Sequence, residues 1–229
     1  MSVSDPTGTD LDSSVRVRVD VWSDVICPWC YLGKRRLEAA LRDLPYADVV
    51  DVHWHSFLLD PTHPRGVRQP VPQMLAAKFG AAPEQVRVMT QRVTELAAAE
   101  GLTYALDRAI MVNTVDAHRV TQLAARHGLD GAMHERLLRA HLIEAEVLDD
   151  PQTLTRLAVE VGLAADEVRR LLAGDRYAAE VAADVRAARQ RGATGVPFFV
   201  VADRWGISGA QPVEVFTATL RAAHTAATG

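Results

Sequence analysis

Residues 15–22, VRVRVDVW, alternate strictly between apolar and polar or charged side chains. A period of two puts one set of side chains on one side of a strand, so the segment predicts a half-buried strand. Residues 31–43 change to helical spacing, with Leu32, Leu37, Ala40 and Leu41 apolar. Over residues 49–57, VVDVHWHSF, the alternation returns, with Val50, Val52 and Trp54 on one face. A helix between two strands favours a parallel pair joined by a right-handed crossover. Pro61, Pro64, Pro70, Pro72 and Gly66 make residues 60–72 a loop and a candidate domain junction.

From about residue 73 to 191 the pattern is helical throughout. Val86, Met89, Val93, Leu96 and Ala97 form one stripe after Pro83, which suits a first helical turn. Asn113 and Asp130 are candidate N-caps, with Asp116 adding negative charge to the helix start after Asn113. Asp150-Pro151 reads as a cap followed by proline at the first helical position. Gly128, Gly162 and Gly174 are candidate stops, and Tyr177, Val181, Val185 and Ala188 line one side of the last helix. After Gly192, FFVVA (198–202) predicts a strand, Asp203-Arg204 a tight turn and Trp205-Gly206-Ile207 the returning strand. Pro212 opens a final helix with Val213, Phe216 and Leu220 on its buried side. The order is βαβ, a block of helices, then ββα.

The chain has 229 residues, enough to bury a core without disulfide staples. Its net charge of −4 argues against nucleic acid or an anionic membrane surface as the main partner. No apolar run is long enough for a membrane-spanning helix. The first fourteen residues carry three aspartates and no basic residue, and predict a disordered tail rather than a secretory signal. The compartment expected is therefore the cytoplasm, where a cysteine pair is catalytic or metal-binding more often than structural.

Both cysteines of the chain fall within Cys27-Pro28-Trp29-Cys30. The segment before is a strand and the segment after is a helix, so Cys27 occupies the N-cap region with Pro28 at the first helical position. Unpaired N–H groups and the helix dipole there favour a thiolate. Cys30 follows one turn later on the same face, with its thiol inward and less exposed. This is the geometry of a redox pair: Cys27 exchanges with a substrate disulfide, and Cys30 resolves the mixed disulfide. Pro28 and Trp29 shape the surface that substrate meets. A metal centre would need two further ligands. His53 and His55 are the best candidates, but no second pair has finger-like spacing, so no metal is expected.

The segment Asp24-Val25-Ile26-Cys27-Pro28-Trp29-Cys30-Tyr31-Leu32-Gly33-Lys34 resembles the active-site region of the DsbA-like thioredoxin-fold proteins of the FrnE type. Trp54 to Pro61, Asn113-Thr114 with Ala117-His118-Arg119, and Gly195 to Val200 with Ser208 to Pro212 extend the resemblance over about residues 15 to 225. It implies an α/β fold, a thioredoxin-like unit (βαβ…ββα) interrupted by an all-helical insertion. Residues 1–14 would be the tail, 15–65 the first part of the unit, 66–192 the insertion and 193–229 the second part. Taken alone, Pro197 reads as an ordinary trans proline opening an edge strand. The resemblance instead implies a cis bond facing the cysteines, with Val196 offering backbone groups to an extended substrate.

Asp24 is a candidate modulator of Cys27, or equally a solvated or capping carboxylate. His118 reads as packed against a helix neighbour, with a place near the site as the alternative. Trp22, Trp54 and Trp205 are read as core or interface aromatics, and His53 and His55 as a solvated strand face.

The function expected is a cytoplasmic thiol–disulfide oxidoreductase with no tightly bound cofactor, acting on a disulfide- or thiol-containing protein or small molecule. The alternative is a glutathione-dependent isomerase or transferase similar to the hydroxychromene-carboxylate isomerases and kappa-type glutathione transferases. Those typically carry serine where Cys27 stands, and glutathione is a co-substrate compatible with either reading. A third class is a non-enzymatic chaperone or adaptor. The insertion is large enough to bind a client, cover the site or pair two subunits into a homodimer.

Overall fold

The computed structural model describes residues 16–228. The tail expected over residues 1–14 lies outside the described residues. Strand β1 (Val17–Ser23) leads through a short turn into helix α1 (Pro28–Arg42), and a 3-10 turn (Ala47–Val49) precedes β2 (Val50–Ser56). Strands β5 (Phe198–Val201) and β6 (Trp205–Ser208) and helix α9 (Val213–Thr228) complete the unit at the other end of the chain.

The four strands form one sheet in the order β2-β1-β5-β6. The β1–β2 pair is parallel, with Val17 opposite Val50 and Ser23 opposite Ser56. The β1–β5 and β5–β6 pairs are antiparallel. The crossover and the closing hairpin therefore agree with the periodicity. The burial of β1 does not agree. It lies inside the sheet, and both its faces are covered. Val17, Val19 and Val21 pack with Leu37, Phe216 and Leu220 of α1 and α9. On the opposite face, Trp22 packs with Phe198, Val200 and Ala188. Alternating polarity predicted exposure at Asp20, but this carboxylate is buried and pairs with Arg18 and His55.

Between β2 and β5 the chain forms α2 (Val71–Phe79), α3 (Pro83–Ala99), α4 (Val115–Ala125), α5 (Asp130–Leu142), α6 (Pro151–Glu160), α7 (Ala165–Leu172) and α8 (Ala178–Gln190). Helix α2 starts within the proline-rich stretch read as loop. The region is not helical throughout: β3 (Gln69–Pro70) pairs antiparallel with β4 (Ile110–Met111), because the turn-rich stretch after α3 returns beside the loop leaving β2. Asp150 caps α6 by accepting the Thr153 N–H at 2.8 Å. Asp130 is the first helical residue of α5 rather than its cap. Asn113 stands one position before the cap residue Thr114 but still accepts the Val115 N–H at 3.1 Å.

The insertion has its own core, with Val120, Leu123, Met133, Leu137, Leu157 and Val168 among its buried members. Val25, from the loop that carries the cysteines, packs into that same core. Arg119 is fully buried at its edge, where its guanidinium donates to the Asp116 carboxylate and to the carbonyls of Leu171, Gly174 and Arg176.

Candidate active site

The end of β1 sets the site. After Ser23 the chain turns, and the Cys27 N–H donates to the Asp24 carbonyl at 3.0 Å. Cys27 is the N-cap of α1, with extended angles of φ −86° and ψ 116°, and Pro28 occupies the first turn. Proline costs nothing there because that N–H has no partner within a helix. The Cys30 N–H returns to the Cys27 carbonyl at 3.0 Å. Both cysteines are free thiols.

The two sulfurs have different surroundings. Both residues are buried, but Cys27 lines a cleft of about 630 Å³. Its Sγ sits 3.7 Å from the Val196 carbonyl oxygen, to which the thiol can donate. Cys30 lies behind it among Tyr31, Leu102, Leu138 and Leu142. Burial, with the Cys27 sulfur beside it, pushes the Cys30 thiol well above the usual cysteine range. The inward placement of Cys30 is as the sequence indicates. The depth of Cys27 is not, because the insertion closes over it.

The Val196–Pro197 peptide is cis. The Pro197 carbonyl accepts the Gly209 N–H at 2.8 Å, which ties the turn to the segment after β6. Helix α1 presents Gly33 to this turn, and a Cβ there would stand 2.9 Å from Pro197 Cγ and 3.2 Å from Phe199 Cζ. Absence of a side chain at Gly33 lets the proline turn lie directly on the helix that carries the cysteines.

Trp29 is exposed at the mouth of the cleft, and Met74, Leu75, Phe79 and Met89 from α2 and α3 form its far wall. Met89 is the one residue of the predicted α3 stripe that is exposed, since it faces this opening. No residue of α2 is buried.

Beneath the cysteines lies a polar cluster. Asp24 is completely buried; its carboxylate accepts the Leu59 N–H at 2.8 Å and lies 3.3 Å from His118 Nε2. So Asp24 is not solvated, and His118 meets that carboxylate across the chain rather than a helix neighbour. His134 Nε2 lies 2.9 Å from Ser23 Oγ, and its ring stacks on Trp54 at 4.3 Å. His141, on the cleft wall, has a buried Nδ1 without a partner. Burial holds it down to about 4 and holds His134 well below the ordinary histidine value. Tyr104 donates its hydroxyl to the Pro28 carbonyl at 2.6 Å, so the insertion grips the first turn of α1. Burial and the two nearby sulfurs raise the Tyr104 phenol.

Ser23, Gly33, Tyr104, His134 and His141 were not singled out by sequence reasoning. Gly33, inside a helical pattern, carried a detectable signal. The others meet the site only through tertiary contact. His53 is exposed as expected. His55 is not solvated: it bonds Asp20 at 2.6 Å and Asp184 at 3.2 Å and stacks on Trp22. Among the described residues, no group of three or more His, Cys, Asp or Glu side chains is placed to hold a metal ion.

The family profile of the DSBA-like thioredoxin domain matches residues 18–221. The chain belongs to that family. Within it, the chain is 44% identical to a protein of Streptomyces coelicolor described as a probable DsbA oxidoreductase, whose crystal structure superposes with a TM-score of 0.88 over 92% of this chain and 91% of that one. It is 27% identical to the uncharacterized protein YwbO of Bacillus subtilis (strain 168), over 87% of this chain and 94% of that protein. The fold is also shared with the cytosolic disulfide reductase DsbM of Pseudomonas aeruginosa, solved with GSH, at 22% identity and a TM-score of 0.61 over 91% of this chain and 99% of that one. Membership in this family and the Cys27–Cys30 pair make the chain a DsbA-like redox protein. No described helix is long and apolar enough to cross a membrane.

Proposed function

We propose that this DsbA-like chain is a cytoplasmic thiol–disulfide oxidoreductase of the FrnE type. Cys27 is its exchanging thiol and Cys30 its resolving thiol. The observation that carries this reading is the asymmetry of the pair: Cys27 faces the cleft at a helix N-cap beside the Val196 carbonyl, while Cys30 is sealed behind it. The Cys27 thiolate attacks one sulfur of a substrate disulfide. A Cys27–substrate bond forms and the other substrate sulfur leaves with the electron pair. Cys30 then displaces the remaining substrate sulfur, leaving a Cys27–Cys30 disulfide and a substrate reduced by two electrons. Run backwards, the same steps oxidise a substrate dithiol.

Residues 15–65 and 193–229 form the redox unit in this reading, with 66–192 as the insertion that builds the cleft. Pro28 and Trp29 shape the substrate-facing surface, and Val196 and Pro197 offer backbone groups beside it. Asp24 and His118 modulate the site through the buried cluster. The cytoplasmic assignment rests on cysteine usage: both cysteines of the chain are in the site, leaving none for a structural disulfide. Glutathione is the proposed co-substrate that returns the pair to its starting state, and a homodimer is the proposed assembly. The presence of Cys27 favours oxidoreductase over isomerase or transferase chemistry.

Two measurements test this. Equilibration with glutathione redox buffers and quenching by alkylation should yield a Cys27–Cys30 disulfide, and a chain that never forms one overturns the proposal. The C30S variant should retain substrate as a mixed disulfide on Cys27, identifiable by mass spectrometry.

A further inference from the structure

The cleft that reaches Cys27 holds about 630 Å³, within the roughly 300–1,000 Å³ of sites that enclose a small molecule. Its floor is apolar, with buried Val93, Leu106 and Met111 lining it. Its far wall is apolar as well but open to solvent: Met74 and Leu75 are half-buried, and Phe79 and Met89 are exposed.

The polar side chains that line the cleft are few, and most are engaged. The Asp60 carboxylate accepts the Thr62 N–H at 3.1 Å and the Thr62 hydroxyl at 2.8 Å. The Thr90 hydroxyl donates to the Val86 carbonyl at 3.1 Å, and the Cys27 thiol can donate to the Val196 carbonyl. Lys78 is exposed to solvent, with its ammonium 6.0 Å from the centroid of the Phe79 ring. His141 differs. It lines the cleft from α5, is 1% exposed and has an Nδ1 with no hydrogen-bond partner. A buried polar nitrogen left unpaired costs free energy that a ligand's hydrogen bond recovers.

We propose that the substrate disulfide is an uncharged, largely apolar small molecule whose body covers Met74, Leu75, Phe79 and Met89 and whose hydroxyl group pairs with His141 Nδ1. The inference rests on the oxidoreductase reading and names its substrate class. Burial keeps His141 neutral, and a hydroxyl both donates and accepts, so it meets either tautomer of a neutral imidazole. A charged substrate would lose its hydration against the apolar floor and wall. Glutathione carries two carboxylates and an ammonium, so it returns the pair without filling the cleft. An extended peptide brings an N–H and a carbonyl with every residue. Val196 can pair with one side of it, but the wall built by α2 and α3 offers side chains that cannot pair with the other. The exchange itself is unchanged: two electrons and two protons pass from the Cys27 and Cys30 thiols to the substrate disulfide, which leaves as two thiols.

The test is selectivity. Reduced protein is mixed with dithiodiphenol, diphenyl disulfide, glutathione disulfide or a disulfide-bonded peptide, and Cys27–Cys30 oxidation is followed by alkylation and mass spectrometry. Each rate is divided by that of the same disulfide with dithiothreitol, which removes differences in leaving-group reactivity. On this scale dithiodiphenol should react roughly thirtyfold faster than glutathione disulfide or the peptide, the worth of burying one large apolar group. Met74 is half-buried, so M74Q leaves the core untouched, and it should cut that preference about fivefold. H141L should cut the preference for dithiodiphenol over diphenyl disulfide about fivefold, the worth of one neutral hydrogen bond. Equal relative rates, a peptide that reacts fastest, or a preference that survives either substitution overturns the inference and leaves the oxidoreductase reading intact. A pair that none of the disulfides oxidises overturns both. Should H141L not fold, nitrogen NMR of the reduced wild type reads the same contact: the His141 Nδ1 resonance should move with mercaptophenol and not with thiophenol, and equal shifts, or none, overturn it.

Discussion

Gly33 of α1 and Pro197 of the turn before β5 touch without room for a single added carbon: a Cβ on Gly33 would lie 2.9 Å from Pro197 Cγ. The proline ring is fixed to the backbone and cannot swing away as a long side chain could. G33A therefore gains helix propensity, about 1 kcal/mol, but displaces the turn that carries the Val196 carbonyl. Overpacking of this kind costs about 1–3 kcal/mol. The variant should unfold at lower denaturant than wild type and alkylate at Cys27 with an altered rate. Equal midpoints and equal rates would show that the contact is unimportant.

Asp24 joins three parts of the molecule: the cysteine loop, the exit of β2 through Leu59, and α4 through His118. D24A leaves the Leu59 N–H and His118 buried without their acceptor, a loss of about 2–4 kcal/mol. D24N keeps an acceptor for Leu59 and should cost less. It also removes a negative charge three residues from Cys27, so its Cys27 should alkylate faster than in wild type. Chemical denaturation and iodoacetamide kinetics read the two effects separately.

Arg119 is a structural group rather than a catalytic one. Its buried guanidinium satisfies three carbonyls at the end of α7 and the start of α8, and pairs with Asp116. R119M preserves most of the volume but strands these acceptors, and a loss of about 3–5 kcal/mol is expected. Since α8 packs on the sheet beside Trp22, thermal unfolding should remain a single transition at a lower midpoint. A midpoint within a degree of wild type would contradict this.

Stability should depend on pH in two opposite ways. Burial holds His141 neutral down to about 4, and holds His134 well below its ordinary value. In the unfolded chain both take up protons near ~6.5, so acid favours unfolding. The expected loss is up to about 1.4 kcal/mol per pH unit and histidine as pH falls below ~6.5. For His141 it levels off near its folded value of about 4. H141L should flatten that slope. His55 behaves conversely: burial opposes its charge, but Asp184 and Asp20 outweigh burial and raise it. Its contribution is complete below ~6.5 and is lost as pH rises through the raised folded value. H55Q should remove this alkaline loss, and thermal melts across pH measure both limbs.

Periodicity located β1, α1, β2 and α9, and an apolar run with a turn signal located β5 and β6, since whether a strand or helix forms depends largely on neighbours two to four residues away. The motif Cys27-Pro28-Trp29-Cys30, with a strand before and a helix after, was sufficient to fix Cys27 at the N-cap and Cys30 inward. The errors arose where burial depends on distant layers. Asp20 of β1 and His55 of β2 looked solvent-facing because alternation reports one covered face; α8 packs over the second face, where its Asp184 bonds His55 and His55 pairs with Asp20. Likewise β3 and β4 were invisible, being two residues each and formed by pairing segments about forty residues apart.

By itself, then, the sequence determined the order of the strands and helices on either side of the insertion and the placement of Cys27 and Cys30 at the start of α1, because these follow from local spacing. Only the tertiary structure decided what surrounds the two sulfurs. Ser23 meets His134, Asp24 meets His118 and Gly33 admits Pro197 across more than ninety residues of chain. The first two contacts arise when the insertion packs onto the sheet and the third when the two ends of the chain come together around it, and no local pattern encodes which group finds which partner.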